Sequence, residues 1–369
     1  MTNKPIERIS INTGGGDAPG LNAVIYSVVH AASRLGWKVM GIREGYDGLL
    51  YPDQYPDRGV LELTPDGVKN IPHLGGTMLG TTNRGNPFQV LERAPDGSVS
   101  QVDRSDQVIE AFRQHKIDAH VAVGGDGSLT IALQLHRKGL RLVGVPKTID
   151  NDLDATTSTF GFSSAVSFAT DCIDRLHMTA QAHRRILVVE VMGRYAGWIA
   201  LYCGIAGQAD AILIPEFPYD IEKVAAHLRR TTSGQRQHAI VVVAEGAKPM
   251  GGDVTVKSRE PGRVERLGGI GDRVAGELQR LTGKESRATV LGHLLRGGSP
   301  NAQDRILGLG FGAGAVHALQ HGMDGVMVAL NPPRLEFVPL EDAVVKLRTV
   351  PPDSEAVLAA RALDICFGD

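Results

Sequence analysis

Residues 8–42 read RISINTGGGDAPGLNAVIYSVVHAASRLGWKVMGI, and this stretch decides the fold. It opens on Arg8-Ile9-Ser10-Ile11-Asn12, apolar and polar in alternation, the pattern of a short strand. Gly14-Gly15-Gly16 turns the chain, and a helix follows from about Asn22. Its apolar residues Leu21, Val24, Ile25, Val28, Ala32 and Leu35 recur at spacings of three and four, and Gly36 stops it. A second strand, Trp37–Ile42, comes straight after. Strand, glycine turn, helix, strand is the unit from which open parallel sheets are built.

The same alternation recurs along the chain, with strands expected at 119–123, 141–145, 185–192, 211–214, 239–244 and 287–291. With 369 residues against roughly 150 per domain, the expected fold class is α/β, with two Rossmann-like α/β/α sandwich domains and largely parallel sheets. Two regions break the rhythm. Residues 52–105 carry Pro-Asp and Asp-Gly turns and read as loops and hairpins over a site, and residues 248–269 read as an exposed, mobile insertion. The 42% hydrophobic and 22% charged composition is that of an ordinary globular chain. With 39 Lys+Arg against 41 Asp+Glu, the net charge of -2 argues against a general nucleic-acid or anionic-membrane surface. Any bound anion must be held by a few placed cations. Three cysteines without a CxxC pair read as reduced thiols of a cytoplasmic protein, and no apolar run approaches the roughly 18 residues of a membrane span.

In an open parallel sheet, ligands bind outside the carboxyl ends of the strands, and the unusual sequences stand there. They are Gly14–Gly20, Gly124–Ser128 (GGDGS), Pro146–Asp152 (PKTIDND), Glu190–Arg194, Ala244–Gly246 and Gly292–Gly298. Glycines let a backbone approach phosphate, and a following helix offers free N–H groups and a positive dipole end. Gly14–Gly20 fits that description, and it also fits a plain strand-to-helix turn. It is not a Walker loop, since Leu21 stands where Lys is needed, nor a dinucleotide fingerprint, since Pro19 takes the third glycine's place. Asp126, set between glycines, suggests a Mg²⁺ partner.

Thr148, Asp150 and Asp152 alternate, so an extended segment would point all three one way. Two acids so placed suit a general base and a partner that orients or engages metal; an Asx turn capping the next helix is the structural alternative. Arg185, Arg194, Arg287 and Arg296 stand at expected strand ends, where guanidinium groups grip phosphate bidentately or simply face solvent. His293 reads either as a hydrogen-bond donor to sugar or phosphate oxygen or as a structural histidine, and Met192 beside Gly193 as packing or a pocket wall. A phosphate cradle, paired acids and placed arginines add up to phosphoryl transfer to a sugar-phosphate hydroxyl.

The combination resembles a known family. GGDAPGLNA (15–23), GGDGS, PKTIDND, VEVMGRYAGW (189–198) and RATVLGHLLRGGSP (287–300) are similar to the motifs of the 6-phosphofructokinases, in one register over roughly residues 6–320. The resemblance implies a larger phosphate-donor domain (1–161 plus about 295–345) and a smaller sugar-phosphate domain (about 162–294 plus 346–369), with the active site in the cleft between them. It implies Asp150 as the base for the sugar 1-hydroxyl, Asp152 as its catalytic and metal partner, and Arg194 and Thr148 on the transferring phosphoryl group. It implies that Gly16, Arg84, Gly125, Gly127, Ser128 and Lys147 line the donor site, with Tyr46 near it, and that Asp126 engages Mg²⁺. It implies that Arg185, Met192, Gly193, Glu245, Arg287, His293 and Arg296 hold fructose 6-phosphate. Arg185 and Arg287 would reach across from a neighbouring subunit, hence a homodimer or homotetramer.

Gly127 leaves space for an α-phosphate and nucleoside where pyrophosphate-using relatives carry Asp, which favours ATP; Lys147 stands where those relatives have Lys. The alternative is a pyrophosphate-dependent phosphotransferase acting on fructose 6-phosphate or sedoheptulose 7-phosphate; a non-catalytic sensor would not need the two aspartates. Tyr26, His30 and His177 replace arginines of the family's bacterial effector pocket, so control by ADP and phosphoenolpyruvate in the familiar manner is expected to be absent.

Overall fold

The computed structural model, which describes residues 5–93, 96–258 and 266–369, gathers the β-branched runs into two large sheets and adds two smaller two-stranded ones. In the first, Arg8–Thr13 runs parallel to Lys38–Ile42 on one side and to Ala119–Gly124 on the other. Leu142–Thr148 and then Val326–Asn331 continue the parallel order. Both edges are reversed: Val60–Leu63 lies antiparallel on Lys38–Ile42, and Arg334–Pro339 on Val326–Asn331. The central strands bury both faces, as strands flanked by helices must. Val121 and Val123 enter a core with Ile9, Ile11 and the helix Leu21–Arg34, while Ala122 enters another with Leu129, Leu133 and Phe112.

The second sheet has four strands, all parallel, in the order Ala211–Leu213, Ala239–Ala244, Ile186–Val191, Ser286–Val290. Ile186, Val188, Val241 and Val243 pack with Val224 and Leu228 of the helix Ile221–Thr231 and with Ile270 and Val274 of Ile270–Thr282. The chain divides into two units, one of residues 1–148, 153–161 and 296–347, the other of 149–152, 162–295 and 348–369. The boundary falls inside PKTIDND: Thr148 goes with the first sheet, Asp150 and Asp152 with the second. No helix of the described residues is long and apolar enough to cross a membrane.

Three local expectations change. Pro146-Lys147-Thr148 is not loop but the end of the strand Leu142–Thr148, where Lys147 and Thr148 pair with Phe160 and Gly161. The chain beyond it is not extended either: Asn151 turns into the left-handed region (φ 53°), so the alternation that would align Thr148, Asp150 and Asp152 is broken. Asparagine tolerates that conformation because its short polar side chain bonds locally. The reversed edge strand Arg334–Pro339 was not anticipated, its hairpin being masked by Pro332-Pro333. Of the expected insertion, Val256 pairs antiparallel with Leu267, and residues 259–265 lie outside the described residues.

Candidate active site

In the first unit, the carboxyl ends of three adjacent strands bring the glycine motifs together. Gly14 N–H donates to Val123 O (2.9 Å), joining the Gly14–Gly20 turn to the start of GGDGS. The glycines are there for space. A Cβ on Gly14 would stand 2.8 Å from Ser128 Oγ, one on Gly124 would stand 2.2 Å from Ser128 Cβ, and one on Gly16 would collide with the Arg296 guanidinium. A Cβ on Gly125 would lie 3.2 Å from Lys147 O and 3.8 Å from Thr148 Cβ, so GGDGS and the strand end Lys147-Thr148 are in contact. The Lys147 side chain is only 3% exposed, and its ammonium donates to Gly16 O, placing a positive charge under the turn. The neighbouring loop is tied in as well: Gly15 N–H donates to Thr82 O (3.0 Å), and Thr82 Oγ1 accepts from Arg84 N–H (3.0 Å), which leaves the exposed Arg84 beside the turn.

Helix ends complete this side. The helices Leu21–Arg34 and Asp126–Arg137 both start after a glycine, Gly20 and Gly125, which has no side chain to cap them. By contrast, Ile221–Thr231 and Ala302–Gln320 are capped by Asp220 and Asn301. Uncapped N-termini present orphan donors and a partial positive charge, the basis of anion binding. Asp126 sits at the first position of its helix, and partial desolvation raises its carboxyl pKa.

Two expected site residues are held by contacts of their own. Tyr46 is a core residue, 4% exposed, packed with Leu49, Leu129 and Leu142; its hydroxyl lies 3.5 Å from His120 Nε2, and burial raises its pKa strongly. It supports the sheet rather than lining a surface. Arg296, expected among the sugar-phosphate ligands, donates through Nη1 to Asp17 O (3.1 Å), at the glycine turn.

In the second unit, the carboxyl ends of the strands carry a different set. Ala244 pairs with Val191, and Glu245 N–H donates to Val191 O (2.9 Å), which sets Glu245 beside the Met192-Gly193-Arg194 turn. Arg194 is itself left-handed (φ 45°), and its N–H donates to Glu245 Oε1 (3.3 Å). Gly246, the last residue of the Ala244–Gly246 loop, is there for space: a Cβ on it would stand 1.6 Å from Arg194 O, so only glycine lets these backbones meet. Burial, and after it the charge of Asp150, pushes the Glu245 carboxyl pKa up, which places the two acids in one electrostatic neighbourhood. Asp150 itself is 5% exposed. His293 lies exposed on the short turn Gly292–Arg296, just past the neighbouring strand Ser286–Val290, whose Val290 pairs with Glu190.

Arg185 and Arg287 are not in this group. They stand at the amino ends of the strands Ile186–Val191 and Ser286–Val290, Arg287 pairing with Leu187. Five or six residues of strand, about 20 Å, separate them from Arg194. Both arginines bond one carboxylate, Glu285: Arg185 Nε at 2.7 Å and Arg287 Nη2 at 2.8 Å, and this holds the Glu285 pKa down.

The phosphofructokinase family profile matches residues 8–319. The chain belongs to the phosphofructokinase family. Its relatives include the ATP-dependent 6-phosphofructokinase of Chloroflexus aggregans, 48% identical over 363 residues and spanning 98% of both chains. They also include the pyrophosphate–fructose 6-phosphate 1-phosphotransferase of Amycolatopsis methanolica, 45% identical over 351 residues, 94% of this chain and 97% of its own. Among solved structures, phosphofructokinase from Pichia pastoris in the T-state aligns with a TM-score of 0.78 at 31% identity, over 98% of this chain and 37% of that one. Pyrophosphate-dependent phosphofructokinase from Nitrosospira multiformis shares the fold, with a TM-score of 0.79 at 20% identity over 97% and 91% of the two chains. Membership makes the chain a phosphotransferase of the 6-phosphofructokinase type.

Proposed function

We propose that the enzyme transfers the terminal phosphoryl group of ATP to the 1-hydroxyl of fructose 6-phosphate, giving fructose 1,6-bisphosphate. The observation that carries the donor choice is at Gly127, where an added Cβ meets nothing within 4 Å. The protein therefore leaves open space beside the cradle, where an α-phosphate and its nucleoside fit. The N-terminus of the helix Asp126–Arg137 and the Lys147 ammonium supply the positive field for the β- and γ-phosphates. Asp126, beside that cradle, suits Mg²⁺, which is held in such sites by one or two carboxylates together with substrate phosphates; the ion would neutralise charge on the phosphates. Asp150 takes the proton of the sugar hydroxyl, assisted by Asp152. Arg194, Thr148 and Arg296 stabilise the charge on the moving phosphoryl group and its neighbours, and Met192, Gly193, Glu245 and His293 hold the sugar.

Arg185 and Arg287, at the far end of the same sheet from Arg194, serve the sugar phosphate of a neighbouring subunit, which makes the working form a homo-oligomer. The residues that replace the effector-pocket arginines are engaged internally. Tyr26 stacks on His30 with ring centres 4.2 Å apart, and His177 Nε2 bonds Gly207 O at 2.7 Å. Control by ADP or phosphoenolpyruvate through those positions is therefore absent.

Lys147 favours a second reading, pyrophosphate as donor, because a buried ammonium under the turn compensates the dense charge of a small anion as well as that of ATP. Steady-state assays with ATP and with pyrophosphate, each on fructose 6-phosphate and sedoheptulose 7-phosphate, decide between them. Turnover with ATP on fructose 6-phosphate is expected; turnover with pyrophosphate and none with ATP overturns the first reading.

A further inference from the structure

The second unit contains a bracket around its acidic loop. Arg348 N–H donates to Asp152 O at 2.9 Å, so the main chain of the loop Ile149–Asp152 is held by the segment beginning at Arg348. That segment is itself fastened to the start of the helix Trp198–Ala206. The Trp198 indole Nε1–H donates to Arg348 O at 2.9 Å, and the Arg348 guanidinium lies over the Trp198 ring, 4.6 Å from its centre. Two residues on, Val350 N–H donates to Glu216 Oε1 (2.8 Å), and the same carboxylate accepts from Gly197 N–H (3.0 Å), the residue before Trp198. Burial raises the pKa of Glu216, and these backbone donors oppose that shift, as expected of a carboxylate enclosed to hold main chain.

The stakes are set by the loop's shape. Asn151 holds a left-handed conformation between two acids, and such a backbone keeps one geometry only when its surroundings over-determine it. The helix that supplies the bracket begins four residues after Arg194, which meets Glu245. One rigid start of helix therefore serves both the acidic loop and the Arg194 turn. We propose that Trp198 and Arg348 are positioning residues for phosphoryl transfer, acting through the main chain of Asp152 to hold Asp150 in its reactive orientation. The proposal rests on the reading of Asp150 as the base.

The direct test is Trp198→Phe, which keeps the ring under Arg348 and removes only the indole donor. Because misplacing a reacting group by an ångström can cost up to about 100-fold in rate, kcat is expected to fall about 5- to 20-fold. KM for ATP and for fructose 6-phosphate should stay within about twofold. Leu201→Ala, a truncation at a fully buried position on the same helix, controls for destabilisation. It should lower the melting temperature by at least as much while leaving kcat within about twofold at a temperature where the protein is folded. A loss of kcat in Leu201→Ala equal to that in Trp198→Phe makes the effect one of general stability and overturns the proposal, as does an unchanged kcat in Trp198→Phe.

If Trp198→Phe does not fold, Arg348 decides. Arg348→Ala should lower kcat by a similar factor and Arg348→Lys should restore most of it, whereas equal activity in the two overturns the proposal. Asp150→Asn separates this inference from the reading beneath it. A fall in kcat of about 100-fold or more with Trp198→Phe unaffected sinks the bracket alone; an unchanged kcat in Asp150→Asn sinks both.

Discussion

Under the proposed donor choice, Gly127 lacks a side chain to leave the ligand room, and the fold itself sets no such demand. A Cβ there meets no atom within 4 Å, and the residue is not one of the left-handed glycines. Gly127→Asp should therefore fold with an unchanged melting temperature while placing a like charge beside the donor phosphates. At about 4 Å and an effective dielectric near 20, such repulsion is worth about 4 kcal/mol, so kcat/KM for ATP should drop by at least tenfold. Unchanged ATP kinetics would remove the steric and electrostatic basis of the donor assignment. Glu245 makes the opposite kind of prediction, one about the fold. Its pKa is raised by burial and then by Asp150, so between its ordinary value of 4.5 and the raised one the folded chain holds a proton that the unfolded chain has released. Stability contributed by this group falls as pH rises through that window, and the deficit persists above it. Glu245→Gln should thus melt above the parent at pH 8, and the gap should close as the pH falls below 4.5. A gap independent of pH would show that the carboxylate is not desolvated. These two residues also differ in how they read from sequence. The Gly127 position, whose donor reading came from the family resemblance, was legible from the GGDGS turn. The seat of Glu245 was not, since Gly246 matters only through its 1.6 Å collision with Arg194 O, a contact between residues far apart in the chain.

Among elements, the helix N-termini sort themselves by what fills them. Ile221–Thr231 and Ala302–Gln320 are capped by their own preceding side chains, and Leu21–Arg34 and Asp126–Arg137 follow glycines that have no side chain to do so, the second starting on the exposed Asp126 and Gly127. A fifth helix, Ile270–Thr282, also begins after a glycine, yet it is closed from within the fold. Glu190, 2% exposed, accepts from Gly269 N–H (3.1 Å) and Gly271 N–H (2.8 Å). A buried carboxylate thus occupies the kind of site that, at the helix Asp126–Arg137, we propose for phosphate. Removing it should be a stability defect before it is anything else. Glu190→Ala strands two buried donors at a cost of about 1–3 kcal/mol, and the expected outcome is a melting temperature lower by several degrees, read by circular dichroism. A melt matching the parent would mean that solvent satisfies those N–H groups. The VEVMGR motif made Glu190 look like part of a ligand loop, whereas the structure turns its side chain inward, because strand alternation puts Glu190 and Met192 on the same face only while the strand continues, and it ends at Val191. Regular elements were legible where apolar spacing was uninterrupted: the helix Leu21–Arg34 and the strands Arg8–Thr13 and Ala239–Ala244 fall within a residue of their expected bounds. Pro146 hid the last turn-like residues of Leu142–Thr148, since proline ordinarily argues against a central strand.

Across the whole chain, the second sheet presents candidate site residues at both ends, and its length forbids a single site from using all of them. Arg194 and Glu245 lie past the carboxyl ends, Arg185 and Arg287 at the amino ends, about 20 Å away, with Glu285 holding the latter two side by side. A guanidinium side chain spans a fraction of that distance, so within this unit Arg287 cannot touch a phosphate held by Arg194. If both arginines serve catalysis, the phosphate they grip is bound to another copy of the chain, and the symmetry of a homo-oligomer makes the exchange mutual. Subunit mixing tests this directly. Asp150→Ser lacks the base but keeps Arg287, and Arg287→Ala lacks the arginine but keeps the base, so each alone should show little turnover at low fructose 6-phosphate. After dissociation and reassembly of an equal mixture, half the pairs are mixed and each mixed pair rebuilds one complete site. The recovered activity should approach about a quarter of the parental value in a twofold-symmetric exchange. Activity that stays at the mean of the two variants, despite hybrid oligomers on native electrophoresis, would confine every catalytic residue to its own chain. The reading of Asp150 as the base would survive that result; the role of Arg185 and Arg287 in binding sugar phosphate would not.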